Sequence, residues 1–561
     1  MPKNDATSKF FEKHWGQQDA STMFTKDGYQ RLRAYLSVVQ KGQPKVYTAP
    51  FAKGQSIAKV LADWNATLCS IQDEWPSLFQ FENDLAKKVG PMSVMKPMVD
   101  RLADVAHYYE DILLSSTPIN PEAIQAVQDE FSKLRGLRVR SQRNTVELMK
   151  KSTNSGSPYF TKRRNVVQDT IPANVRWSPW KQGPEVRQEL PGFSREACAV
   201  IGWRGQEGGP SEEDVKQRVV WMFPFAVNVR ELQVYQPLIE GCQKLNLVPA
   251  WVGMDAVDDR VTALFDTKAP QDLVVCTDFT RFDQHFNSDM QYAAESILRS
   301  VLTPNLSNLA WIEDVFPIKY MIPLVYDFDE WDADVGTQRT GYKHVETTLV
   351  ECFRGRHGMG SGSGGTNADE TLTHRAMQYE VAMAHNERLN PNSMCLGDDG
   401  ILTYPGITVE DVVDSYSSHG QECNPEKQYA STQDCVFLRR WHHKDYRREG
   451  RCVGVYSTCR AIGRLRFLER FMDPEYWSPE LVALRQLSII ENCKWHPLFH
   501  EFIEFCMKRD KYRLGLDLNG FFDNLTKLAI EATDHVQDFL GYTKTLQGEG
   551  PEGIANWEVV K

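Results

Sequence analysis

Apolar residues recur at helical spacing from residue 1 to about 130, as in SIAKVLADWNATLCSIQ and MVDRLADVAHYYEDILL, with Pro and Gly marking the breaks. This predicts a helical N-terminal extension. The middle of the chain changes to short apolar runs between loops: LVVCTDF (273–279) and MCLGDDGILTY (394–404) read as strands, ADETLTHRAMQYEVAMAHNERL (368–389) as a helix. From about 445 helical spacing returns in LVALRQLSIIENC, HEFIEFCMKR and FFDNLTKLAIEATDHVQDFL. The mixture predicts an α+β fold. The end, LQGEGPEGIANWEVVK, holds three Gly, one Pro and the single Trp557, too little apolar matter to pack by itself. No tandem repeat or low-complexity linker divides the chain.

Composition adds limits. With 561 residues, 41% hydrophobic and 25% charged, the chain has room for several units or one large enzyme with subdomains around a cleft. No run approaches the roughly 18 apolar residues of a membrane helix, and MPKNDATSKFFEKHW lacks the apolar core of a signal peptide, so a cytosolic location with no membrane partner is expected. The twelve cysteines stand singly, with no C-x-x-C pair, and are expected to be reduced core residues. Cys493, His496 and His500 have spacing that could suit zinc, but Pro497 interrupts them and no fourth ligand is obvious.

The net charge of −11 disfavours a nucleic-acid partner only on average. From Lys133 to Arg164 ten Lys and Arg face the single acid Glu147, which reads as a phosphate-facing surface or a bland basic face. A second cluster, Arg439-Arg-Trp-His-His-Lys-Asp-Tyr-Arg-Arg448, interleaves aromatics with base, a combination that suits a nucleic-acid strand.

The candidate chemistry lies in SMCLGDDGILTY, where Asp398 and Asp399 stand side by side. Two carboxylates about 4 Å apart repel by roughly 4 kcal/mol at an effective dielectric near 20, so such a site normally binds a cation or a proton. Asp-Gly is also an ordinary hairpin signal. Upstream, the LVVCTDF strand delivers Asp278 at its end, with Asp283 five residues later. If the two strands are neighbours, Asp278, Asp398 and Asp399 converge and require divalent metal; alone, Asp278 would be a strand-end acid or helix cap. Magnesium suits hard oxygen ligands and substrate phosphates, and two ions could clamp both oxygens of a phosphoryl transfer. Between the strands lies Gly358-Met-Gly-Ser-Gly-Ser-Gly-Gly-Thr-Asn-Ala-Asp-Glu370, whose glycines let backbone N–H groups approach a ligand. Ser361 and Thr366 add hydroxyls, and Asn367 with Glu370 predicts an N-terminal capping box; a flexible connector is the plain alternative.

The order D-x4-D, then S-G-x3-T opening a helix, then G-D-D in a hairpin resembles motifs A, B and C of viral RNA-dependent RNA polymerases. Thr153-Asn-Ser-Gly-Ser-Pro-Tyr159 resembles motif G, where the template enters. Val215-Lys-Gln-Arg-Val-Val-Trp-Met-Phe-Pro224 resembles motif F, in which Lys216 and Arg218 would share one strand face and could hold a triphosphate. Asn424-Pro-Glu-Lys427 resembles motif D and Cys435-Val-Phe-Leu-Arg-Arg440 motif E. The matches span 153–440, about half the chain, and are most similar to picobirnavirus polymerases, then to partitivirus enzymes, which replicate double-stranded RNA genomes.

The resemblance implies a right hand: residues 1–130 bridging fingers and thumb, fingers over 131–265 and 295–350, palm over 266–294 and 351–444, and a helical thumb over 445–545. The tail, 546–561, would plug the cleft or support the first nucleotide in initiation without a primer; a loose end is the alternative. Asp278 and Asp398 would bind two Mg2+ or Mn2+ ions, supported by Asp399. Asp283 would probe the ribose 2′-hydroxyl. Ser361, Thr366 and Asn367 would position nucleotide and template. Lys427 would protonate pyrophosphate, unless it is a solvated loop lysine. Thr153, Ser155, Gly156, Arg439 and Arg440 would contact RNA. Partners would be template and product RNA, ribonucleoside triphosphates and a viral capsid protein, in host cytoplasm and virion interior.

One departure stands out. Where the family often has Asn four residues after the motif B threonine, this chain has Glu370, and the sequence does not choose between Asn367 and Asp369 as substitutes. Among rivals, a reverse transcriptase usually has Tyr before its paired aspartates. An RNA-packaging or capsid protein would not need the ordered motifs, and a helicase lacks its G-x4-G-K-S/T loop here.

Overall fold

The computed structural model describes residues 5–179, 184–331, 347–535 and 550–561. The four residues Val274–Thr277 are all buried, as the continuous apolar run required, and form an inner strand of a four-stranded antiparallel sheet. The order of that sheet is Met394–Leu396, Asp399–Leu402, Val274–Thr277, Tyr429–Ser431. Behind it packs the helix Thr366–Ala384, buried along much of its length. Its first residue is Thr366 and Gly365 caps it without a side-chain bond, so the capping box expected of Asn367 and Glu370 does not form. Both lie inside the first turns of the helix, where their side chains are free for other partners.

A five-stranded sheet runs in the order Trp15–Asp19, Thr347–Phe353, Leu324–Trp331, Ala199–Gln206, Lys216–Met222. It joins distant parts of the chain, and it contains an N-terminal strand that helical spacing did not predict. Trp15–Asp19 pairs antiparallel with Thr347–Phe353, Trp15 opposite Phe353. Two three-stranded sheets complete the β structure, one built from Asn174–Ser178, Glu185–Leu190 and Phe193–Ala197. The other pairs Asp434–Phe437, Arg440–His443 and Val455–Tyr456, so a strand precedes the C-terminal helices that begin at Thr458–Arg466.

The N-terminal helices are amphipathic and feed two separate cores. Leu32, Leu36 and Val39 of Lys26–Lys41 pack into the large central core with Trp221 and Leu324. Val60, Trp64 and Leu68 of Ile57–Leu68 pack into a C-terminal core with Ile462, Leu484 and Phe502. Buried Glu82 ties the second contact: it accepts from the Thr458 and Cys459 amides at 2.7 and 3.2 Å, satisfying the open N-terminus of the Thr458 helix. The chain's end joins this core too. Ile554 and Trp557 are buried there, and Glu491 accepts from the Glu558 and Val559 amides at 3.1 and 2.9 Å. The expected cleft plug is thus docked on the C-terminal helices at 554–561, while 536–549 lie outside the described residues.

Candidate active site

The sheet register brings the aspartates together. Gly400 pairs with Thr277 and Ile401 with Cys276, so Asp278, one residue beyond its strand, emerges beside the hairpin end that carries Asp398 and Asp399. The hairpin turn is Gly397-Asp398, between paired Leu396 and Asp399. Gly397 has φ +58, where a Cβ would be strained, and the motif B helix grips it from both sides. Thr371 Oγ1 accepts from the Gly397 amide at 2.9 Å, and neutral His374 donates Nδ1–H to its carbonyl at 2.8 Å. Burial holds the His374 imidazole down to about 4, so it stays a neutral donor at physiological pH.

Asp278 and Asp398 both reach solvent. The Asp398 carboxyl is held above the usual carboxylate range, first by lost hydration and then by the charges of Asp283 and Asp278. Asp399 is turned away: its Oδ2 accepts from the Leu438 amide at 2.8 Å, and burial pushes its carboxyl up to about 7. Asp283 lies inside this group with Arg218 Nη2 3.8 Å from its Oδ2. Lys216 and Arg218 alternate with Gln217 on the strand Lys216–Met222 and so share its exposed face. Lys427 is exposed at the end of the short helical turn Pro425–Lys427.

Several residues expected to position ligands also make protein contacts of their own. Thr366 Oγ1 donates back to the Gly360 carbonyl at 3.2 Å, and Ser361 Oγ accepts from the Trp221 amide at 3.1 Å, which fastens the glycine loop to the motif F strand. Asn367 Oδ1 accepts from Trp251 Nε1 at 2.7 Å. Ser155 is buried and accepts from the Thr161 amide at 3.1 Å, so it shapes its loop from within and is corrected from an RNA contact to a loop brace. Gly156, at φ +62, leaves no room for a Cβ against the Phe223 carbonyl. Thr153 has a buried hydroxyl with no protein partner.

Arg440 requires the larger correction. Its guanidinium is buried and forks onto Asp258 at 3.0 and 3.3 Å, leaving nothing to offer a product strand. The aromatics of the cluster around it are internal as well, while Arg439, Lys444 and Arg448 are exposed. Trp441 and Tyr446 belong to the C-terminal core, and Arg447 pairs with Asp266 at 2.7 Å. Arg439 is exposed, 3.8 Å from Glu207. In the other basic block, Arg140 pairs with Glu240 at 2.9 Å and Arg163 is spent on Asn228 at 2.9 Å and the Phe225 ring.

Gln428 and Glu231 brace the site without any local sequence signal, and the partners of Asp369 and Glu370 have none either. Gln428 binds the Asp278 backbone through both amide atoms, at 2.7 and 2.9 Å. Buried Glu231 accepts from Ser363 Oγ and, at 3.1 Å, from the Gly364 amide, bracing the glycine loop. Asp369 is fully buried, accepting from Tyr235 and Tyr320 hydroxyls at 2.6 and 2.7 Å and pairing with Lys319 at 2.9 Å. Of the two candidate substitutes, Asp369 is thus held by Tyr235, Tyr320 and Lys319 and Asn367 by Trp251, while the carboxyl of Glu370 itself is raised far above the usual range by burial and then by Asp283. Each partner lies tens to more than a hundred residues away, so only the fold reveals it.

Among the described residues no three or more His, Cys, Asp or Glu stand together so as to hold a metal ion, at Cys493, His496 and His500 or elsewhere. His496 is buried, neutral and pushed down to about 3, and its Nδ1 accepts from the Leu498 amide at 3.0 Å. No described helix is long and apolar enough to cross a membrane.

The sequence model of the viral RNA-dependent RNA polymerase family matches residues 83–465. The chain is 55% identical over 536 residues to the "Potential RNA-dependent RNA polymerase" of Human picobirnavirus (strain Human/Thailand/Hy005102/-), covering 94% of this chain and 96% of that one. The crystal structure of a human picobirnavirus RNA-dependent RNA polymerase superposes with a TM-score of 0.88 at 54% identity, covering 97% of this chain and 99% of that one. An insertion-loop deletion mutant of such a polymerase gives 0.86 at 52%, with the same coverage. The chain belongs to the viral RNA-dependent RNA polymerases, and it resembles those of picobirnaviruses. It makes RNA on an RNA template from nucleotides, as members of a family that generally uses divalent metal ions do.

Proposed function

We propose that this polymerase joins ribonucleoside triphosphates by two-metal-ion nucleotidyl transfer, with Asp278 and Asp398 as the principal metal ligands. The observation that carries the reading is the register Gly400 to Thr277, which sets the two carboxylates at one sheet end. The donor set suits Mg2+, or Mn2+, which takes one or two carboxylates and completes its shell with water and substrate phosphate. The Asp398 carboxyl is raised by burial and then by the charges of Asp283 and Asp278, and a cation would relieve that repulsion. When bound, two such ions would supply charge neutralisation for the attacking and departing oxygens. Asp399, tied to Leu438, would act by holding the hairpin against the motif E turn.

Around that centre the chain's own residues have separate tasks. Lys216 and Arg218 would bind the triphosphate from their common face. Asp283 would accept a hydrogen bond from the ribose 2′-hydroxyl. Lys427 would donate a proton to pyrophosphate. The loop carrying Thr153 and Gly156, pinned to the motif F strand, would guide the template by its shape, and Arg439 would steady the product strand. Residues 1–130, packed into both cores, would bridge fingers to thumb.

The same reading takes initiation to be primer-independent and places the enzyme in host cytoplasm and virion interior beside a capsid protein. Labelled ribonucleotides on an unprimed RNA template test it. The unmodified chain should make template-length product and Asp398→Asn none; equal synthesis by both would overturn the assignment.

A further inference from the structure

Arg281 sits in the turn between Asp278 and Asp283, and its backbone is left-handed at φ +52, a region where a residue other than glycine has to be held. Its side chain is held from two distant parts of the chain. Nε is 3.8 Å from Asp111 Oδ2, and Nη2 donates to Glu422 Oε2 at 3.3 Å. A guanidinium can only donate, so Nη1 gives its hydrogen to His107 Nε2 at 2.9 Å; the ring then donates from Nδ1 to Asp111 Oδ1 at 3.1 Å. His285 closes the circle: its Nδ1 donates to the Arg281 carbonyl at 2.8 Å, and its Nε2 is 3.4 Å from Asp111 Oδ2.

Asp111 is the hub of this cluster. It is buried, and its Oδ2 makes no hydrogen bond in the protein. A buried carboxylate needs a cation beside it, and Arg281 is the permanently charged one here. His107 and Asp111 belong to the N-terminal extension, on the helix Leu102–Glu110 and the helical turn Asp111–Leu113. The same helix reaches the glycine loop, where the Tyr108 carbonyl accepts from the Gly358 amide at 2.7 Å and the Met359 amide donates to the Asp283 carbonyl at 2.9 Å. From the other side the Thr280 amide donates to the Glu422 carbonyl at 3.0 Å, just before the helical turn Pro425–Lys427. The turn after Asp278 is thus clamped between the extension and the Glu422 loop.

We propose that the N-terminal extension shapes this turn: Asp111 and His107 hold Arg281, and Arg281 is a positioning residue that fixes the backbone from which Asp278 emerges. The proposal rests on the assignment of Asp278 to the active centre. A misplacement of about 1 Å at a reacting group costs roughly a hundredfold in rate, so loss of the clamp is read in kcat. Triphosphate and template binding, which are assigned to other residues, are left in place.

The test measures kcat, nucleotide KM, template affinity and the thermal midpoint for the unmodified chain, Arg281→Ala, Arg281→Gly, Asp111→Asn and the Arg281→Ala, Asp111→Asn double variant. The Arg281 side chain is 39% exposed, so its removal does not open a core. Arg281→Ala is expected to lower kcat by about ten- to a hundredfold, with nucleotide KM and template affinity within about threefold of the unmodified values. Arg281→Gly relieves the left-handed backbone without restoring the anchors, so it should lose as much as Arg281→Ala. The double variant should fall no more than about threefold below the poorer single one, because both changes remove one clamp. Unchanged kcat in Arg281→Ala, full activity in Arg281→Gly, or losses that multiply in the double variant would each overturn the proposal. Asp278→Ala reports separately on the active centre: synthesis surviving that change sinks the assignment of Asp278, whereas its loss beside an unaffected Arg281→Ala sinks the clamp alone.

Discussion

Gln428 grips the backbone of Asp278 with both ends of its amide: Oε1 accepts from the Asp278 N–H at 2.7 Å and Nε2 donates to the Asp278 carbonyl at 2.9 Å. The strand Val274–Thr277 ends one residue earlier, so without this bracket the backbone at Asp278 would have no ladder partner on that side. Gln428 thus extends the sheet by one residue through a side chain.

Removing the bracket should therefore affect chemistry more than stability. A displacement of about 1 Å at a reacting group can cost roughly a hundredfold in rate, whereas each hydrogen bond contributes only about 1 kcal/mol net. Gln428→Ala should lower kcat by about ten- to a hundredfold with a nearly unchanged thermal midpoint. Steady-state incorporation and a melting curve on the same preparation check this.

Arg440 predicts the reverse. Its loss would strand the buried Asp258 carboxylate, and breaking a buried pair on one side costs about 3–5 kcal/mol. Arg440→Ala should lower the thermal midpoint sharply and leave the salt dependence of RNA binding unchanged, because no phosphate contact is lost. Arg439→Ala should leave the midpoint in place and make that salt slope shallower by about one. Melting curves and RNA titrations at several salt concentrations separate the two.

The chain's end should matter for folding. Trp557 is buried beside Ile554 in the C-terminal core, and cutting a buried Trp to Ala costs about 3–5 kcal/mol. Trp557→Ala should lower the thermal midpoint and reduce initiation and elongation in parallel. A selective defect in initiation, measured on primed against unprimed templates, would instead favour the cleft-plug reading.

His496 gives a signed pH effect. Its folded value, about 3, lies below the unfolded value near 6.5, so the native state binds fewer protons between them. The stability tied to the neutral ring is therefore fully present above about pH 6.5 and lost as pH falls toward the folded value. His496→Asn keeps an acceptor for the Leu498 amide and removes the titrating ring. The variant's midpoint relative to the unmodified chain should rise as pH drops from 6.5 to 4, as melting curves across that range would show.

Much of the catalytic core could be read from the chain because its signals are local. A buried four-residue strand ending in Asp278, a hairpin with Asp398 at its turn and a helix opening after glycines each have their own pattern. What could not be read depends on partners remote in sequence. Arg440 looks like a strand-contacting base until the fold places Asp258, 182 residues earlier, against it. Ser155 looks exposed in a loop of polar residues until Thr161 and Phe225 close over it. Trp15–Asp19, WGQQD, has no strand alternation and is strand only because Thr347–Phe353 offers an edge. Asn367 and Glu370 have capping-box spacing, yet Gly365 caps the helix and Asn367 accepts from Trp251, 116 residues earlier, instead.

On the proposed mechanism Asp278 and Asp398 would share metal. Crystals soaked with Mn2+ and a nucleotide, measured for manganese anomalous scattering, test it directly. The account predicts a peak bound by both carboxylates at about 2.1 Å, with triphosphate oxygens completing the shell. A peak ligated by Asp399 without Asp278, or none near Asp398 while the nucleotide is bound, would contradict it.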